Sequence, residues 1–147
     1  MPREMKQHAG GKNSFKERGI IPRVIIQCFQ DIKAFSTKQA VVKVSYLEVY
    51  NEMFFDLLDP TTESASISVC ERNGSIDVKG IRHTIVNNEA AALQLLFEGE
   101  AARMVGSHQL NRESSRSHSI FCLEIEVKND PNDAQVCCFR LDGPSSV

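Results

Sequence analysis

The chain has 147 residues, 41% of them apolar, with 17 Lys and Arg against 19 Asp and Glu, four His and no Trp. This is the composition of one ordinary globular domain, long enough to bury a core. No apolar run approaches the ~20 residues that cross a bilayer, and Met1 to Ser14 lack the apolar stretch of a secretory signal, so an intracellular chain is expected.

Five Cys (Cys28, Cys70, Cys122, Cys137, Cys138) are an odd number without CxxC spacing and fall mostly in apolar segments. They are expected to be reduced, buried thiols rather than disulfides or zinc ligands. Met1 to Arg23 is net +4 and the remainder net −6, which together make the chain's −2. A short basic arm on an acidic body does not suit a nucleic-acid binder, whose basic residues line a face.

Residues 1–18 are polar, aperiodic and contain Gly10-Gly11, which predicts a loop or arm. From Gly19 the apolar residues Ile21, Val24, Ile25, Cys28, Phe29, Ile32 and Phe35 recur at three- and four-residue intervals behind Pro22, predicting an amphipathic helix that ends near Ser36. Ala40 to Tyr50 is rich in β-branched and aromatic residues on both faces, the pattern of a long central strand buried between layers. Met53 to Leu58 is expected to form a short helical turn stopped by Asp59-Pro60. Ile67 to Cys70 and Ile76 to Val78 flank Asn73-Gly74, a type I′ hairpin signal.

Asn87 or Asn88 can cap a helix whose apolar positions are Ala92, Leu93, Leu96 and Phe97, running to Glu100 or Met104 and ended by Gly106. A polar loop then leads to a strand from Ser119 to Val127 that alternates Phe121, Leu123, Ile125 and Val127. Residues 129–133 turn the chain, Ala134 to Leu141 returns as a strand, and Asp142-Gly143-Pro144 is expected to end it. The order of elements gives an α/β layered domain.

The segment richest in chemistry is Asn111-Arg112-Glu113-Ser114-Ser115-Arg116-Ser117-His118. Its hydroxyls could meet phosphate oxygens or a Mg²⁺ shell and its Arg residues an anion, while a solvated polar loop is the plain alternative. A hydrolase reading, with Ser115 or Ser117 as nucleophile and His118 as base, lacks a GxSxG elbow and places neighbours on opposite sides of an extended chain. His108, His118 and Cys122 have the wrong spacing for zinc. Gly11-Lys12 is followed by Asn13, and Lys6 stands where GxxxxGK[ST] needs its first Gly, so no phosphate-cradling loop is found.

Asn111, Ser114-Ser115-Arg116-Ser117-His118 and Ser119-Ile120-Phe121 resemble the NxxSSRSHxIF switch I signature of kinesin motor domains. Arg18-Gly19-Ile20-Ile21-Pro22-Arg23 is similar to the family's RGIIPR, and Ser45-Tyr46-Leu47-Glu48-Val49-Tyr50-Asn51-Glu52 with Asp56-Leu57-Leu58 to its SYLEIYNE…DLL. Val78-Lys79-Gly80 and Leu95-Leu96-Phe97-Glu98-Gly99-Glu100 extend the match, the latter resembling the kinesin-9 branch. The resemblance implies a P-loop NTPase layered fold, a mixed central sheet flanked by helices, here incomplete. Residues 1–18 would be an arm, 19–141 a partial motor domain and 142–147 a divergent tail.

The resemblance covers about Gly10 to Leu141, the middle of a domain that is normally more than twice this length. It therefore implies a fragment, a truncated gene model or a spliced product, without the P-loop and without the switch II sequence DLAGSE. It assigns Asn111, Ser114, Ser115 and Arg116 to switch I: Ser114 and Ser115 to the γ-phosphate and Mg²⁺ side of ATP, Ser115 to the metal indirectly, and Arg116 to an ion pair with a switch II Glu. It assigns Arg72, Asn73 and Lys79 to a microtubule contact. The function implied is that of a microtubule-dependent motor driven by ATP and Mg²⁺, in the cytoplasm and cytoskeleton and, if kinesin-9-like, the cilium or axoneme. Neither nucleic acid nor membrane is expected as a partner. The alternative is a non-catalytic product that at most binds tubulin or a partner weakly.

Overall fold

The computed structural model describes residues 19–34, 39–72, 74–109, 116–130 and 133–144. Helix α1 spans Ile20–Ala34 and buries Ile25 and Phe29, with Ile21, Cys28 and Ile32 packed beside them. These are positions of the apolar stripe in the sequence, because one helical face repeats at three- and four-residue spacing.

Strand β1 (Gln39–Tyr50) is central, as its two-faced apolar pattern predicts, and every residue from Val44 to Glu48 is buried. β6 (Ser117–Asp130) runs antiparallel along one edge of β1 for its whole length, from Gln39 opposite Lys128 to Tyr50 opposite Ser117. On the other edge sit β2 (Met53–Asp56), opposite Leu47 to Tyr50, and β5 (Thr84–Val86), opposite Val42 to Val44. β7 (Asp133–Pro144) pairs with β6, and β3 (Ser68–Arg72) with β4 (Ser75–Lys79) as a separate two-stranded sheet. Each pairing among the described residues is antiparallel.

Three local expectations change. Met53 to Asp56 is a strand rather than a helical turn, because Asn51 (φ 52°) and Glu52 (φ 63°) make a two-residue reversal that folds the chain back on β1. Helix α2 (Glu89–Gln109) passes through Gly106, where one interior Gly costs only about 1 kcal/mol against Ala. Its start is capped as expected: Asn88 Oδ1 accepts from Ala91 N at 2.8 Å. β7 continues through Asp142 and Gly143 to Pro144, opposite Ile120, Ser119 and His118, since an edge strand tolerates a terminal Pro. The hairpin turn has Gly74 at φ 76°, as predicted, and Asn73 lies outside the described residues.

The core joins α1 and α2 to one face of the sheet: Ile25 and Phe29, Ala92 and Leu96, then Val42, Val44 and Tyr46 of β1 and Phe121, Leu123 and Ile125 of β6. Period-two alternation puts Lys43 on the other face. There it lies opposite Glu124 and pairs with Glu124 (3.2 Å) and Glu126 (3.6 Å). The bond to Glu124 raises the Lys43 pKa. Cys28, Cys70 and Cys122 are half-buried and in no disulfide, and burial followed by the nearby Asp31 pushes the Cys28 pKa up.

Gly99 sets how closely α2 approaches the sheet. A Cβ there would stand 2.2 Å from Cδ1 of Tyr46, a fully buried ring that meets Phe121 edge-on at 5.3 Å. Gly99→Ala gains about 0.5–1 kcal/mol of helix propensity and incurs overpacking of about 1–3 kcal/mol. The packing term is the larger, so the variant is expected to melt at lower temperature than the parent in a calorimetric scan; an unchanged or raised midpoint would show that α2 can shift freely.

Candidate functional site

Helix α2 faces the sheet along Ala92, Leu96, Gly99 and Arg103, residues that share one face at three- and four-residue spacing. The first three are small or apolar, and the last is a cation carried inward, with 14% of its side chain exposed. Arg103 Nε stands 3.5 Å from Oε1 of Glu48 on β1, whose side chain is 2% exposed. Ser117, the first residue of β6, donates its hydroxyl to the same Oε1. Arg103 Nη2 reaches Ser117 Oγ at 3.4 Å and Nη1 reaches Ser119 Oγ at 3.3 Å.

The result is a polar clasp between three elements that are far apart in sequence. Glu48, Ser117 and Ser119 are all buried, and such groups stay charged or polar inside only when partners replace water. Beside the clasp, the Tyr46 hydroxyl donates to Glu100 Oε1. Burial, then the bond to Glu100, pushes the Tyr46 pKa strongly upward, against a smaller opposing effect of Ser119 and Arg103.

Geometrically, the clasp ties the C-terminal half of α2 to the first residue of β6. Arg116 immediately precedes β6 and is exposed, Ser117 points inward, and His118 is exposed. Asn111, Ser114 and Ser115, the residues that the sequence assigns to nucleotide and Mg²⁺, lie outside the described residues. Lys79 is exposed on β4, and Arg72 ends β3. Among the described residues no three His, Cys, Asp or Glu form a metal-capable group.

Sequence reasoning missed Glu48, Arg103, Ser117 and Ser119 as a unit. A signal was present in two of them. Glu48 is the one ionisable carboxylate within the buried run from Val44 to Glu48, and Arg103 follows Gly99 by four residues on the helix face that the Gly brings closest to the sheet.

An α/β layered fold, with two helices packed on one face of the sheet and a buried carboxylate tying the second helix to its central strands, is the class that the described residues define. The chain belongs to the kinesin motor domain family, whose family model matches residues 6–141. It is 39% identical over 122 residues to the human kinesin-like protein KIF9, covering 80% of this chain and 15% of that protein. To the kinesin-like protein KLP1 of Chlamydomonas reinhardtii it is 38% identical over 122 residues, 82% of this chain and 16% of the other. The solved structure of a fast kinesin superposes with a TM-score of 0.78 at 34% identity, covering 85% of this chain and 36% of that one. The chain thus spans 15–16% of these two curated relatives.

Removing one partner of a buried ion pair typically costs about 3–5 kcal/mol. Arg103→Ala is therefore expected to lower stability by roughly 3 kcal/mol in urea melts and, in a double-mutant cycle with Glu48→Gln, to show a coupling above about 1 kcal/mol. Additive losses would dissolve the clasp into independent contacts.

The buried phenol gives a pH signature. The Tyr46 pKa is higher folded than unfolded, so its contribution is complete below the free-phenol value of about 10 and is lost as pH rises above it. Stability of the parent chain is expected to fall more steeply above about pH 10 than that of Tyr46→Phe; parallel alkaline limbs would remove Tyr46 as the cause.

Proposed function

We propose that this chain supplies the switch I side of a microtubule-stimulated ATPase motor, in which hydrolysis of Mg·ATP is coupled to movement along the filament. The observation that supports the reading is the Glu48–Arg103–Ser117 clasp, which anchors Ser117 of the NxxSSRSH signature to the core strand and to α2. A phosphoryl-transfer site works by placing phosphate, metal and water together, and a switch anchored where it enters the sheet has fewer positions to choose between.

In this reading Ser114 and Ser115 face the γ-phosphate and Mg²⁺, with Ser115 acting on the metal indirectly, and Asn111 orients the same side. Arg116, one residue before the clasp, closes an ion pair with an acidic residue of the opposing switch. ATP and Mg²⁺ supply the reacting phosphoryl group and its charge neutralisation. Arg72, Asn73 and Lys79, at the β3–β4 hairpin, touch the filament, where basic groups meet an acidic surface. The cytoskeleton is the place of action, with the cilium or axoneme following from the kinesin-9-like segment at Leu95 to Glu100. The 147 residues contain neither GxxxxGK[ST] nor DLAGSE, and by themselves they do not turn over ATP.

The test compares this chain alone with the same residues set in a motor polypeptide that carries a P-loop and switch II. In the latter, Arg116→Ala is expected to abolish microtubule-stimulated phosphate release and leave nucleotide affinity within about threefold, because affinity comes mainly from the phosphate cradle. Unchanged turnover in that variant would remove Arg116 from the mechanism. Stimulated release from the unextended chain would show that a cradle exists within it.

A further inference from the structure

Between β2 and β5 the chain leaves the main sheet, makes the β3–β4 hairpin and returns. Among the described residues that hairpin pairs only with itself, and a lone two-stranded sheet is marginal in water. What holds it at a defined angle must lie at its neck.

The neck is organised by a carboxylate outside the clasp. Asp56, 4% exposed at the end of β2, accepts from Leu58 N (2.9 Å) and Asp59 N (3.1 Å) through Oδ1 and from Arg82 N (2.6 Å) through Oδ2. Leu58 and Asp59 start the excursion, and Arg82 ends it, so one side chain joins its two ends by main-chain bonds. Leu57 and Ile67, both within this excursion, are buried. Gly80 closes it from the hairpin side: at φ 82° it packs on the Ser64–Ser66 turn, where a Cβ would fall 2.2 Å from the Ser66 carbonyl oxygen. A further bond, Phe54 N to Ser64 Oγ at 3.2 Å, ties that turn to β2.

We propose that Asp56 is the positioning residue of the β3–β4 hairpin and that the hairpin's grip on the microtubule depends on it. The second half of this inference rests on the function proposed above; the first half does not. Asp56 touches no filament. It acts by converting a marginal hairpin into one arm that carries the exposed Lys79. Each bond from an amide to a buried carboxylate is worth on the order of tenfold in a local opening equilibrium.

The experiment uses the full chain and Asp56→Asn, which keeps the size of the side chain but replaces one acceptor oxygen by a donor. Amide exchange at Cys70 and Asp77 in the hairpin is expected to accelerate at least tenfold, with exchange at Phe121 and Leu123 in β6 unchanged. Co-sedimentation with microtubules is expected to weaken as much as in Lys79→Ala. Unchanged hairpin exchange, or equal acceleration in β6, would overturn the positioning role. Faster hairpin exchange with undiminished microtubule binding would overturn the dependence of the grip on Asp56. If Asp56→Asn fails to fold, Gly80→Ala opens the same neck from the other side and is judged by the same criteria. If the parent chain does not co-sediment, the proposed microtubule contact fails, while the exchange result still decides what Asp56 does.

Discussion

A carboxylate with 2% of its side chain exposed has to be answered by partners, and the arrangement around Glu48 is that answer. Arg103 must come from α2 and Ser117 from β6, so α2, β1 and β6 are held in one relation wherever Glu48 is charged. Such a pair adds little net stability compared with an apolar replacement, because desolvation of both ions offsets most of their attraction. Its consequence is geometric. A helix could slide along an apolar strand by a fraction of a turn at small cost, whereas sliding α2 would strand Arg103 and Glu48 together.

Gly99 and Tyr46 reinforce the same relation by sterics. The absent Cβ lets the helix axis approach the Tyr46 ring, and that approach is what allows Arg103, one turn later, to reach Glu48. The Tyr46 hydroxyl then bonds Glu100, so consecutive residues of α2 engage the sheet once by contact and once by a hydrogen bond. Asp56 repeats the principle one register position away on the β1–β2 hairpin, opposite Leu47, with main-chain amides in place of an Arg. In both cases a buried acid gathers segments that the chain visits at widely separated times.

Much of this was legible in the sequence where the signal is local. The stripe from Ile21 to Ile32 specified α1, the apolar run from Val41 to Val49 specified a central strand, and Asn73-Gly74 specified a hairpin. The motifs around Ser45 to Glu52 and Asn111 to His118 pointed to the family that residues 6–141 match. The misread elements share a cause. Met53 to Asp56 is too short to show a period, Thr84 to Val86, which no sequence signal marked as a strand, is shorter still, and the continuation of β7 past Leu141 depends on the ladder offered by β6 rather than on its own residues.

Periodicity and motif are properties of neighbouring residues, and they determined which segments are helix or strand and to which family the chain belongs. They did not determine which polar residues are buried. Ser117 and Glu48 are 69 positions apart, and Arg82 and Asp56 are 26 apart. The apolar run around Glu48 sets it apart from Glu52, exposed two residues past the end of the same strand, but nothing nearby names the partners that replace its water. Burial of a charge is decided by whether distant groups arrive to replace its water, and only the tertiary structure brings those groups together.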